Sequence, residues 1–137
     1  MDRERMVQLV KDHYRSFWQG DLDEFDQQLA PDFTDADTLG SQAGPGPAKQ
    51  FARSIRGAFP DMTVTVEQTV VEGDMLAIRA RWRGTNTGAG MGRDPTSRPV
   101  DFTGMVFWRF NDQGLIAERW AQIDFASMFR QLDQDAL

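Results

Sequence analysis

One aspartate in this sequence stands where a predicted strand gives way to a helix, and its neighbours suit acid–base chemistry. The segment from Leu115 to about Asp124 reads as a β-strand, so Trp120, Gln122 and Asp124 share one face. If that face lines a pocket, the Asp124 carboxylate lies beside aromatic surface, where weak solvation makes a carboxylate a better general base. The alternative is that Asp124 caps the helix beginning at Phe125, because aspartate is a preferred N-cap residue.

Large apolar side chains on the predicted strands are candidates for the walls of such a pocket. Four tryptophans in 137 residues is a high number, and flat aromatic walls suit a small hydrophobic or aromatic ligand. Any one of these side chains could equally belong to an ordinary core. The candidate ligand-binding residues, including two polar ones, are Trp82, Asn86, Phe102, Met105, Val106, Trp108, Trp120 and Gln122.

The composition excludes several classes of function. The chain has no cysteine and one histidine, so thiolate chemistry and histidine-rich metal sites are ruled out, and we expect no metal and no cofactor. The net charge of −6 argues against binding to nucleic acid or to an anionic membrane. No apolar run is long enough to cross a membrane and no signal-peptide core follows Met1, which predicts a cytoplasmic protein.

The N-terminal part reads as three helices. The first carries apolar residues at helical spacing and ends at Gly20, and His13 at the border of its apolar face is expected to be an ordinary surface or edge residue. The second carries Leu22, Phe25 and Leu29 on one face. The third starts near Pro47 and stops at Pro60, after an extended piece over residues 32–38 and a glycine- and proline-rich loop.

From residue 61 the period changes to two, which predicts a meander of antiparallel strands. Helices followed by such a meander indicate an α+β fold, with helices packed on one face of a curved sheet. Arginines at positions 79, 81 and 83 share one strand face, which we expect to be solvated and paired with acidic neighbours. The strand from Val100 to Phe110 is apolar on both faces. We therefore expect a second copy of the chain to bury Met105 and Phe107, which predicts a homodimer.

Three stretches of the chain together carry a family resemblance. They are Tyr14–Asp23 with its Gly20-Asp21 helix start, the loop from Gly84 to Val100 with Pro95-Thr96, and the run from Gly114 to Leu132 with Glu118, Trp120 and Asp124. In these stretches the chain resembles the SnoaL-like polyketide cyclases of the nuclear-transport-factor-2-like superfamily. The resemblance implies a single domain over residues 1–137. It also implies a cone-shaped α+β barrel, in which N-terminal helices pack on the concave face of a curved antiparallel sheet, and assembly into oligomers.

The resemblance further implies intramolecular aldol ring closure of a polyketide-like substrate without metal or cofactor, with an aspartate at the position of Asp124 as the base. Many relatives have histidine where this chain has Asn86, so the predicted pocket lacks a histidine, and Asn86 or Gln122 would donate to the oxyanion. Two other functions stay open: a ligand-binding or assembly module without catalysis, and a limonene-type epoxide hydrolase. A solvent-facing Asp124 would favour the module, and a second aspartate against an arginine beside Asp124 would favour the hydrolase.

Overall fold

A computed structural model describes residues 1–133, which form a curved five-stranded sheet with helices on its concave face. The helices are α1 (Arg3–Gln19), α2 (Phe25–Gln28), α3 (Ala36–Leu39), α4 (Pro45–Ala58) and α5 (Phe125–Asp133), with a 3-10 turn at Leu22–Glu24. The strands are β1 (Leu29–Thr34), β2 (Thr63–Glu72), β3 (Met75–Thr85), β4 (Pro99–Phe110) and β5 (Ile116–Ile123), in the spatial order β1-β5-β4-β3-β2. The predicted α+β cone is confirmed.

Helix α1 begins and ends where its sequence directs. The Asp2 side chain accepts a hydrogen bond of 2.8 Å from the backbone N–H of Arg5, which is the N-cap interaction that aspartate favours. Gly20 adopts a left-handed φ of 85° and ends the helix. Between these caps, Met6, Val10 and other buried residues press the helix against the sheet.

The first strand corrects the sequence prediction. Leu29 was expected on the second helix, but α2 ends at Gln28 and Leu29 opens β1, which runs parallel to β5. The sheet is therefore mixed and not wholly antiparallel. β1 lies at the sheet edge, where Pro31 needs no ladder donor, and the burial of Leu29 and Phe33 outweighs the helical spacing.

The other four strands form an antiparallel meander whose two faces differ sharply. On the concave face, Trp82 lies opposite Phe102, Ile78 lies opposite Val106, and all four side chains are buried. On the convex face, Arg81 donates two hydrogen bonds of 2.7 Å to Asp101, and Arg83 also reaches that carboxylate. Arg79 lies 3.5 Å from Glu67. The expectation of a solvated face with paired arginines is confirmed.

The long loop between β3 and β4 lies tightly against helix α4. Its glycines permit the approach, because a Cβ on Gly88 would lie 2.0 Å from the carbonyl oxygen of Gly57 and one on Gly90 would lie 2.3 Å from that of Ser54. Asn86 closes the loop from inside, donating to the Ala58 carbonyl at 3.0 Å. Backbone packing and hydrogen bonds therefore anchor this loop to α4.

We expect Gly88→Ala to lower the free energy of unfolding by about 1–3 kcal/mol, since the new methyl group forces the loop away from α4. Gly46 is the control: it lies exposed in the first turn of α4, and apart from its two chain neighbours nothing lies within 4 Å of an added Cβ. Gly46→Ala should change stability by less than about 1 kcal/mol, because the gain in helix propensity is offset by crowding of the new methyl group against Pro47. Urea unfolding of both variants measures the difference, and equal stabilities would contradict the close approach.

Candidate functional site

A buried ion pair lies inside the cone. Asp35 follows the last residue of β1, and Arg119 lies on β5, directly opposite Trp108 of β4. Arg119 Nη1 donates to Asp35 Oδ2 at 2.8 Å, and the two side chains are only 12% and 5% exposed. Because a buried charge is tolerated only when it is paired, each side chain depends on the other for its place in the interior.

Arg119 has two further contacts that fix its guanidinium. Nη1 also donates to Thr38 Oγ1 at 3.2 Å, and the guanidinium carbon lies 5.1 Å from the centroid of the Trp108 ring. A cation over an indole face is attracted by the ring quadrupole, more strongly when it is desolvated. These contacts hold the positive charge in a fixed position against the aromatic interior of the cone.

Three buried polar atoms around this pair have no hydrogen-bond partner among residues 1–133: the Tyr14 hydroxyl, Asp35 Oδ1 and Trp108 Nε1. The Tyr14 and Trp108 rings meet edge to face at 5.7 Å. Buried polar atoms are nearly always paired, so three unpaired ones in one place mark where a polar group of a ligand, or water, would fit. They offer two donors and one acceptor-only oxygen.

Burial raises the pKa of Tyr14 to about 12, although the nearby Arg119 charge offsets part of the rise. The Tyr14 hydroxyl therefore stays protonated at neutral pH and can donate a hydrogen bond to a ligand.

Two small cavities flank the pair, each of about 40 Å³. The Trp82 cavity is lined by Trp18, Ile55, Trp82, Phe102, Ile123 and Phe125, and the Trp108 cavity by His13, Phe25, Phe33, Asp35, Thr38, Leu39, Ala48 and Trp108. Tyr14, Phe17, Phe51 and Arg119 line both. The walls are apolar and aromatic with few polar groups, which is the usual make-up of a small-molecule site.

The chain's one histidine lies inside the cone and not at the surface, which corrects the sequence prediction. His13 is 6% exposed, lines the Trp108 cavity, and its Nδ1 lies 2.9 Å from Gln28 Oε1. Desolvation lowers the pKa of His13 to about 4, with a smaller lowering by the Arg119 charge, so the ring is neutral at pH 7. The prediction that the pocket lacks a histidine is therefore wrong.

Some of the predicted ligand-binding residues lie where they were expected. Trp82 and Phe102 stack with ring centroids 5.7 Å apart and line the Trp82 cavity, and Trp108 lines the other. Val106 is fully buried on the same concave face, but it lines neither cavity.

Three others lie on the convex face. Met105 and Trp120 are 61% and 38% exposed, and Gln122 is exposed as well. The alternation along β5 was predicted correctly, but its two faces were exchanged. Both faces carry apolar residues, so alternation alone could not tell which one turns inward. The inward set is Arg119, Ala121 and Ile123.

Asp124 directly follows β5, on the same outward side as Trp120 and Gln122. It is exposed, lines neither cavity, and its Oδ1 accepts a hydrogen bond of 3.0 Å from the backbone N–H of Ser127 in the first turn of α5. The helix-cap alternative is confirmed. The role of Asp124 as a catalytic base stays a prediction, at a position that faces away from both cavities.

Asn86 is buried, but its side chain is already occupied. Its Nδ2 donates to the carbonyls of Ala58 and Gly88, and its Oδ1 accepts from the N–H and the hydroxyl of Thr96. It lines neither cavity, and its hydrogen bonds hold the loop between β3 and β4 in place.

The profile of the SnoaL-like polyketide cyclase family matches residues 8–132. The chain belongs to this family. Its fold matches TsrD of Streptomyces laurentii with a TM-score of 0.86 at 24% identity, covering 97% of this chain and 98% of that one. It also matches IdmH of Streptomyces antibioticus, a proposed polyketide cyclase, with a TM-score of 0.78 at 31% identity, covering 92% and 96%. A search of curated proteins found no match.

No helix within residues 1–133 is both long and apolar enough to span a membrane. No three histidine or acidic side chains in the same range converge in a way that could hold a metal ion.

His13 predicts a specific dependence of stability on pH. Its pKa is lower in the folded chain than the usual value of 6.5, so the unfolded chain takes up the proton first. The contribution of His13 to the free energy of unfolding is fully present above pH 6.5, and about 3 kcal/mol of it is lost as the pH drops toward 4. Carboxylates also titrate in this range, so the measurement is a comparison of denaturation curves with His13→Gln. The variant should lose less stability between pH 7 and pH 4, and parallel losses would refute the prediction.

Proposed function

We propose that this SnoaL-like protein is a cofactor-independent enzyme that closes a ring by an intramolecular aldol-type reaction on a small, flat, hydrophobic polyketide-like substrate. The observation that carries the proposal is the Asp35 carboxylate, buried in an aromatic cone with one oxygen held by Arg119 and the other unpartnered among residues 1–133. An interior carboxylate with a free oxygen is a suitable general base.

The residues around Asp35 suit each step of such a reaction. Asp35 Oδ1 removes a proton from a carbon between two carbonyl groups, and the resulting enolate carbon attacks a ketone carbon of the same molecule. The carbon–oxygen double bond of the ketone opens to an alkoxide, which takes the proton back from Asp35. Tyr14 and Arg119 are donors for the oxyanion at both stages, in a site from which water is largely excluded.

A substrate needs more room than the cavities now offer. Ligand sites for organic molecules enclose roughly 300 Å³ or more, whereas each cavity here holds about 40 Å³. Phe17 and Phe51 line both cavities, so substrate binding requires these two rings to move and the cavities to join and widen into one aromatic space. Side-chain rearrangement at a binding site is common.

The closed cavities and the exposed Asp124 favour a second candidate, a ligand-binding or assembly module without catalysis. It would use the same cone, with Asp35 and Arg119 acting only to orient a polar group. Turnover measurements separate the two candidates.

A limonene-type epoxide hydrolase has less support. That chemistry uses an arginine between two aspartates, whereas within residues 1–133 Arg119 pairs with the single carboxylate of Asp35. The other aspartate nearby, Asp37, uses its Oδ2 to accept the N–H of Ala121.

We also propose that the chain forms a homodimer through the convex face of its sheet. Val70, Ala77, Phe107 and Trp120 form one row across strands β2 to β5, and three of them are exposed large apolar residues. The charged groups beside the row are paired within the chain: Arg79 with Glu67 and Arg81 with Asp101 to one side, and Arg109 with Glu118 to the other. A two-fold axis through the row would bury the exposed apolar side chains against their copies in the second chain.

We expect Asp35→Asn to lower turnover of an activated β-dicarbonyl substrate by about 10²–10⁴-fold, because the amide cannot accept the proton. Asp124→Asn is the matched control. Asparagine caps a helix as well as aspartate, so this variant should keep both its activity and its melting temperature. The reverse pattern would transfer the role of base to Asp124, and full activity in both variants would contradict catalysis by either carboxylate.

Because Asp35→Asn leaves the Arg119 charge buried without its partner, it can lose stability as well as activity. Tyr14→Phe provides a second variant without that problem, since the removed hydroxyl has no partner among residues 1–133. Its stability should be unchanged or higher, while turnover falls by about 10²-fold through loss of an oxyanion donor. Unchanged turnover would remove Tyr14 from the mechanism.

The dimer prediction is tested by light scattering at micromolar concentration. The wild-type mass should be twice the 15.6 kDa of one chain. Phe107→Glu should give a monomer, because it places a charge at the centre of the apolar row. Gln113→Glu, in the exposed turn before β5, should leave the dimer intact. A monomeric wild type would end the interface argument.

A further inference from the structure

A chain of hydrogen bonds runs from the Trp108 cavity, through the packed face of α1, toward the surface. His13 Nδ1 meets Gln28 Oε1 at 2.9 Å, and Gln28 Nε2 donates to Ser16 Oγ at 2.9 Å. Ser16 in turn contacts the Glu24 carboxylate and the Asp12 carbonyl, the latter at 2.9 Å. His13, Gln28 and Ser16 are all buried.

This series of hydrogen bonds determines which nitrogen of His13 carries the proton. The carboxylate of Glu24 and the carbonyl of Asp12 can only accept, so the single proton of the Ser16 hydroxyl points to these two acceptors and its oxygen must accept from Gln28. The Gln28 amide nitrogen therefore faces Ser16, and its oxygen faces His13. An amide oxygen can only accept, so His13 Nδ1 is protonated, and in the neutral ring Nε2 carries the lone pair.

From this geometry we propose that His13 Nε2 is a hydrogen-bond acceptor in the Trp108 cavity and that it selects ligands bearing a hydroxyl group at that end. The Trp108 Nε1–H, which has no partner among residues 1–133, supplies the complementary donor. One hydroxyl can accept from Trp108 and donate to His13, and a methyl group of the same size can do neither. The ligand class is thus a phenol or an enol. This inference shares one premise with the proposed function, namely that a ligand binds inside the cone.

The lone pair is available at neutral pH. The low pKa of His13, about 4, keeps the imidazole neutral, and protonation would place a second positive charge close to Arg119. His13 acts here by orienting and selecting a ligand, and Asp35 remains the proposed base.

Nitrogen-15 NMR tests the tautomer directly, because the chain has one histidine and so gives one pair of ring signals. At pH 7 we expect Nδ1 protonated and Nε2 unprotonated. A ring protonated at Nε2 in the wild type would overturn the proposal.

Binding of phenol and toluene, followed by the resonances of residues lining the cone, tests the selection. Phenol should bind at least about tenfold more tightly than toluene, because its hydroxyl makes two hydrogen bonds in the cavity. His13→Phe should lower that preference by about five- to tenfold, since only the Trp108 donor remains, and Gln113→Glu in the exposed turn before β5 should keep it in full. Equal binding of both probes to the wild type, or an undiminished preference in His13→Phe, would overturn the selection by His13 while leaving the proposed function standing. If neither probe enters the cone, the ligand site itself fails, and this inference fails with it.

Discussion

The pairing of Asp35 with Arg119 is the constraint on which the interior depends. Neither charge could remain in the core alone, and the pair joins the end of β1 to the middle of β5. Asp35 precedes α3 in an N-cap position, but its side chain makes no capping hydrogen bond. Its carboxylate is directed to Arg119 instead, which shows that pairing a buried cation outweighs capping a four-residue helix.

Helix α3 reinforces the same junction. Asp37 accepts the N–H of Ala121, and Thr38 accepts from Arg119, so two side chains of one short helix bind one strand. β1 is the edge strand and covers only part of β5, which leaves these β5 groups in need of partners. The contacts of Asp37 and Thr38 therefore do two things: they pair a backbone N–H of β5 that β1 does not reach, and they hold Arg119 in position for Asp35.

The cone combines a well-packed aromatic lining with an incomplete polar centre. Tyr14, Trp108 and Asp35 each leave one atom unpaired within residues 1–133, at a cost of about 1–3 kcal/mol for a buried group. Natural proteins tolerate such costs mainly where function requires them. Gln28 and Ser16, by contrast, bond to each other and to their neighbours, so the unpaired atoms belong to side chains that line the cavities.

The sequence by itself determined the end of α1 at Gly20 and the period-two strands, because each depends on neighbours within a few residues, and three of its stretches carried the family resemblance. It also determined which residues share a face of each strand: Phe102, Val106 and Trp108 lie together, as do Trp120 and Gln122. It could not determine which face of β5 turns inward, because apolar residues occupy both. Only the tertiary structure decided that Asp124 caps a helix at the surface, that His13 is buried, and that Asp35 meets Arg119 across 84 residues of chain. Such a pairing has no local signature, since it is selected by the low polarity of the core, which exists only after the sheet and helices have packed.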